Sequence, residues 1–214
     1  MMIPAYDKTY LPDAKEHLGG MLDYAVNSCG LSLLEFYLRF TAGTVSRSFG
    51  QGHPRYLSGM SGSDLAVLVM EESGAKGPFP PFQDHGYTPE YWAGWALAEL
   101  QWQSGYSFET LQRYGMPVQE VVALYPTLHE ADIRKFVEIA LQRLHLPESP
   151  LRELRKAVGL SQEALARRSG VSLRMIRAYE QGSQSISRAE AGTVLRLAST
   201  LHCDIERLVA GAGR

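Results

Sequence analysis

Residues 151–186 read LRELRKAVGLSQEALARRSGVSLRMIRAYEQGSQSI, and the order of caps, stops and apolar positions in this run decides the fold of the C-terminal third of the chain. Ser149 followed by Pro150 starts a helix whose inner face is Leu151, Leu154 and Val158, and Gly159 ends it. Ser161 caps a second helix, which carries Gln162, Leu165 and Ala166 and stops at Gly170. Ser172 caps a third, Leu173 to Gln181, closed by Gly182. Downstream, Ser187 is expected to cap a fourth helix with a buried stripe of Val194, Leu197, Ala198 and Leu201, and Asp204 a fifth.

The middle of this run is a helix-turn-helix. Gly170 supplies the backbone conformation that a tight turn needs, Val171 packs in the turn, and Ile176 plugs the third helix into the core. The third helix then projects outward with Arg174 and Arg177 on its outer side, a shape and charge that suit a DNA major groove.

Charge divides the chain at the same place. Residues 1–148 hold 10 Lys and Arg against 17 Asp and Glu, a net charge of −7; residues 149–214 hold 11 against 6, a net of +5. Such asymmetry implies two domains with different partners, the basic one favouring a polyanion. The boundary falls in His145-Leu-Pro-Glu-Ser-Pro150, where two prolines end one helix and start the next. The expected domains are therefore 1–146, acidic, and 147–214, basic. With 45% hydrophobic and 21% charged residues, the 214-residue chain has the composition of folded domains. It shows neither the apolar run of a membrane helix nor the pattern of a signal peptide, which predicts a cytoplasmic protein without a membrane partner. Cys29 and Cys203 are read as small buried thiols in a reducing compartment.

Working back toward the N-terminus, helical signals recur and no stretch alternates as a half-exposed strand does. Asp13 is expected to cap a helix running to about Ser28, and Ser32 another with Leu34, Tyr37, Leu38 and Thr41 on one face. Glycine-rich loops follow at Gly50–Pro54 and Gly59–Ser63, then Asp64 to Glu72, a short apolar helix or a buried strand, with helix preferred because Ser63 is a good cap, and a loop from Gly74 to Gly86. Thr88-Pro89-Glu90 opens a helix to about Gln103. Ser107 caps a short one that Gly115 stops; Pro117 begins another that ends before Pro126. Thr127 caps a longer one with Ile133, Phe136, Val137, Ala140 and Leu144 on one face. The expected fold class is all-α: an N-terminal bundle followed by five short helices.

The run that opens this section resembles the Cro/CI-type (XRE) helix-turn-helix domain of phage repressors and bacterial antitoxins over about sixty residues. The likeness lies in Leu-Ser-Gln before the second helix, Leu-Ala within it, Gly-Val-Ser at the turn and Tyr-Glu-Gln-Gly ending the third. It implies that Gln162 touches DNA, that Ser172 caps its helix and meets phosphate, and that Leu173, Arg174 and Arg177 face the duplex. It further implies that Gln181 and Gln184 meet the DNA backbone and that Arg155 and Glu180 form an ion pair. Leu173 and Ala178 stand where some phage repressors place base-reading glutamines. Specificity is therefore expected to rest on Arg174, with Leu173 against a thymine methyl group and Arg177 on a base or a phosphate. The resemblance also implies a two-fold dimer, for which the helix Ile205 to Val209 is one candidate surface.

The front domain offers no recognisable reaction. His129-Glu130 begins like a zinc-protease motif, but Ile133 stands where the second histidine belongs. The glycine loops lack a following Gly-Lys-Ser/Thr, and no Ser or Cys stands in a nucleophile motif. No enzyme activity, cofactor or metal is expected. The aromatic helix carrying Tyr91, Trp92, Trp95 and Trp102 reads first as the centre of the bundle. The alternatives are a groove for a partner protein and a small-molecule pocket. The strings LGGMLDYAVNSCG, HPRYLSGMSGSDLA, EYWAGWALAELQW and YPTLHEADIRKF resemble a helical domain found in front of XRE domains in Firmicutes. That resemblance implies an antitoxin or regulator encoded beside a toxin-like gene. The expected function is a sequence-specific transcriptional regulator, an autoregulating repressor or antitoxin-like component of a two-gene module. The alternatives are an antitoxin whose main role is neutralising a partner protein, and a ligand-sensing regulator.

Overall fold

The computed structural model describes residues 4–144, 149–182 and 184–209. The chain divides into two compact units, Met1–His145 and Leu146–Arg214. The expected boundary segment from His145 to Glu148 lies outside the described residues. Every regular element among the described residues is helical, so the all-α expectation holds.

The first unit contains α1 (Leu11–Asp23), α2 (Leu33–Ala42), α3 (Thr44–Gly50), α4 (Pro54–Leu57), α5 (Gly62–Glu72), α6 (Pro89–Ser104), α7 (Phe108–Tyr114), α8 (Val118–Ala123), α9 (Tyr125–Leu128) and α10 (Ile133–Arg143). Apolar and small residues lie all round α6: Trp92, Ala93, Gly94, Ala96, Leu97, Ala98 and Leu100 are buried. A helix of that kind belongs at the centre of a bundle. Its start is local chemistry, with Thr88 Oγ1 accepting from Tyr91 N at 3.0 Å and Pro89 in the first turn. Gly105 ends it with φ at 68°.

Helix α1 lies between α5 and α6 and touches both through glycine. A Cβ on Gly94 would stand 2.3 Å from the Leu18 carbonyl oxygen, and one on Gly62 would stand 2.6 Å from Gly20 C. Neither position has room for any side chain, so the helices meet backbone to backbone. Around this centre, Phe40 and Phe49 pack on Phe108 with ring centroids 5.1 and 5.8 Å apart, joining α2, α3 and α7. Trp92 meets Phe136 edge to face at 5.5 Å, which docks α10 on α6.

Several expected boundaries move. Asp13 sits inside the first turn of α1; the chain enters through a 3₁₀ turn, Lys8–Tyr10, capped by Asp7, whose Oδ1 accepts from Thr9 N at 2.9 Å. The expected helix end at Ser28 is reached through a π-helical turn, Tyr24–Ser28. The expected loop remains at 51–53, but it is flanked by the short helices α3 and α4, because Val45, Phe49 and Leu57 are fully buried there. Ser61, not Ser63, caps α5, since only Ser61 can exchange bonds reciprocally with Asp64. Pro126 stands in the first turn of α9, with Thr127 inside that helix, and Asp132 caps α10. Leu38 is exposed, and the buried face of α2 is Phe36, Tyr37, Phe40 and Thr41.

The second unit contains α11 (Pro150–Ala157), α12 (Gln162–Ser169), α13 (Leu173–Glu180), α14 (Ala191–Leu201) and α15 (Ile205–Val209). Its core is Leu151, Leu154, Leu160, Leu165, Val171, Ile176, Tyr179, Ile186, Val194, Leu197, Ala198, Leu201 and Leu208. Val158 is exposed, because α11 ends one residue earlier and the helical stripe ends with it. Ser187 lies in a 3₁₀ turn, Ile186–Arg188, and Glu190 occupies the N-cap of α14. Both cysteines are half-buried and free, and burial pushes both thiols up.

Gly94→Ala drives a methyl group into backbone that has no rotamer with which to yield, and is expected to destabilise the protein by about 3 kcal/mol or more. Gly20→Ala is the control: its nearest foreign atom is Gly62 Cα at 3.6 Å, an ordinary contact. There the helix preference for alanine should stabilise by up to about 1 kcal/mol. Urea unfolding of both variants checks the pair.

Candidate nucleic-acid interface

The turn between α12 and α13 is held by small polar groups. Ser161 Oγ accepts from Ala164 N at 3.0 Å at the start of α12, and Gly170 closes that helix with φ at 68°. Ser169, buried, donates to Leu165 O at 2.7 Å and accepts from Val171 N at 3.2 Å, which stitches the turn to the helix. Ser172 Oγ accepts from Met175 N at 3.2 Å and opens α13. Ile176 and Tyr179 sink into the core, so the opposite side of α13 must face out.

An ion pair braces the back of α13. Arg155 on α11 donates through Nε and Nη2 to Glu180 at 2.6 and 2.9 Å, and through Nη1 to Leu160 O at 2.8 Å. The two side chains are 11% and 3% exposed. The Glu180 hydrogen bonds hold the Arg155 guanidinium above its ordinary value. Gln162 Nε2 adds a third donor to Glu180 at 2.8 Å, which ties the start of α12 into the same network.

Each residue expected at DNA finds a definite place. Arg174 is exposed, and among the described residues it has no hydrogen-bonding or acidic partner. Leu173 is half-buried beside it, and Ser172 is exposed at the helix start. Arg177 is half-buried and leans toward α12: its Nε donates to Gln162 Oε1 at 3.3 Å and its Nη2 to Glu163 Oε1 at 3.2 Å. The Gln162 amide is thus engaged at both ends. Gln181 follows α13 as its C-cap, and Gln184 is exposed, with its backbone N donating to Ala178 O at 3.3 Å. Glu163 escaped the sequence reading. Its partner lies fourteen positions away on another helix, a spacing with no local signature.

The aromatic helix of the first unit serves that unit's own packing. Trp92 is in the core, Lys15 Nζ sits 3.5 Å from the Trp95 ring centre, and Trp102 Nε1 donates to Tyr6 O at 2.9 Å. The Tyr91 ring covers Gly19. The four rings do not form one open groove; each is covered at least in part from within the unit. Lys15 also pairs with Glu99 at 2.7 Å, both largely buried. His129 is spent on the Tyr125 carbonyl oxygen at 2.8 Å and stacks on that ring. Among the described residues no cluster of His, Cys, Asp or Glu could hold a metal ion, and no helix is long and apolar enough to cross a membrane.

Residues 151–208 match the helix-turn-helix family, of the Cro/CI type that the sequence resembles. No curated protein and no solved structure matches the chain.

Glu180→Ala strands the Arg155 charge and is expected to cost about 3–5 kcal/mol. Adding Arg155→Met should recover most of that loss, since an apolar chain needs no counter-ion. Calorimetric melting of the single and double variants checks the order.

Proposed function

We propose that this chain, whose residues 151–208 are a helix-turn-helix domain of the Cro/CI type, is a transcriptional repressor that reads an operator upstream of its own gene. The observation that carries the reading is Arg174: exposed, without a partner among the described residues, and one residue past the first position of the outward helix. A guanidinium so presented can grip guanine through two hydrogen bonds, at about 1–3 kcal/mol of discrimination. Leu173 beside it offers an apolar contact for a thymine methyl group. Ser172, Arg177, Gln181 and Gln184 ring this centre and serve the phosphates, with Gln162 at the start of α12. The protein acts as a two-fold dimer with half-sites about 34 Å apart, and α15 contributes to the dimer surface.

The acidic first unit supports a second reading, in which it binds a protein partner such as a toxin-like neighbour. Phe82 and Tyr87 are 58% and 83% exposed on the segment between α5 and α6, more than any of the four helix aromatics. Co-expression with the neighbouring gene product and recovery of a stable complex tests that role.

Fluorescence anisotropy on the upstream DNA and on a scrambled duplex tests the repressor. The expected result is specific binding whose affinity falls with salt at a log–log slope of about −4 to −5 per protomer. Arg174→Ala should lose the preference for the upstream sequence and keep most of the salt slope. Equal, weak binding of the unaltered protein to both duplexes would move the function to the partner-binding reading.

A further inference from the structure

The two arginines on the outer stripe of α13 are treated differently by their surroundings. Arg174 has no acidic partner among the described residues, whereas Arg177 is turned back onto Glu163 and Gln162. The Arg177 pair also differs in kind from the brace behind it. Arg155 and Glu180 meet through two short bonds, largely out of water. Arg177 and Glu163 share one contact at 3.2 Å between side chains 21% and 51% exposed. A single water-facing pair is weak and exchangeable. A DNA phosphate presents the same guanidinium with a stronger, bidentate anion.

Glu163 is built to stay charged. The backbone N–H at the start of α12 and the Ser161 hydroxyl, together with Arg177, hold its carboxyl below the usual range. It follows Gln162 directly, so a carboxylate stands at the end of α12 nearest the expected DNA backbone.

We propose that Glu163 is a phosphate mimic that occupies Arg177 in the free protein, so that Arg177 reaches DNA only by exchanging one anion for another. The proposal rests on the DNA-binding function above and adds a specificity-determining residue to it. The free protein then shows non-cognate DNA one fewer available cation. Arg177 is released only where the fit brings a phosphate within reach, and discrimination rises because loose, sequence-independent binding is held down.

Glu163→Gln keeps the shape and removes the charge. On a scrambled duplex, with the intact chain and a series of salt concentrations, this variant should bind about fivefold tighter, with a log–log salt slope steeper by about 0.9, one more phosphate. In an Arg177→Gln background the same substitution should change affinity less than about twofold, because no cation remains to be released. Equal gains in both backgrounds would show simple repulsion through space and overturn the proposal, as would no gain where Arg177 is present. These results would leave the repressor reading intact. Failure of all four proteins to bind any duplex would instead remove the DNA-binding function and this inference with it.

Discussion

The contact between Gly94 and the Leu18 carbonyl sets the geometry of the first unit. There two helix backbones touch, and α4, α5, α7, α8, α9 and α10 pack against one or the other of the pair. Helix α6 is itself packed by α1, α7, α8, α9 and α10, and these cover its apolar surface. The longer helices then need only one greasy stripe each. The short helices α3, α4, α8 and α9 fill the perimeter, where Val45, Phe49, Leu57, Val118 and Leu128 supply the wedges. Burial of these chains, rather than intrinsic helix preference, makes segments of four to seven residues helical at all.

The second unit uses charge where the first uses shape. Its helices are short and its core is modest, and the relative placement of α11, α12 and α13 depends on a polar chain running from Arg155 through Glu180 and Gln162 to Arg177 and Glu163. Exposure grades along this chain. At the Glu180 end the groups are buried and doubly bonded, and they act as a fixed brace. At the Glu163 end they face water and meet through one contact. The same residue types thus provide a rigid frame at one end and an exchangeable surface at the other, within three helices.

What could be read from the residues alone was what local chemistry decides. Thr88-Pro89, Ser107 with Gly115, Ser161 with Gly170, and Ser172 are caps and stops whose partners lie within four positions, and the structure places helices there. The stripe Val194, Leu197, Ala198 and Leu201 was legible for the same reason. Boundaries that depend on distant packing were not. Two serines compete to start α5, and reciprocity with Asp64 decides between them. Val158 has the right spacing for an inner face but falls where the helix has already ended. The Arg155–Glu180 contact was visible only through resemblance to a known domain, and Glu163 was invisible because nothing local links it to Arg177.

The segment Gly74 to Gly86 has no regular structure and is almost wholly exposed, yet it joins two helices that are each fixed on α1 by other means. Tyr24 reaches across to the Pro80 carbonyl oxygen, but no core residue lies in the segment. The covalent link there contributes little to the assembly of the bundle. Limited proteolysis is expected to cut first at this place and to leave the two fragments associated, and new termini or an inserted reporter domain should be accommodated there with the fold intact.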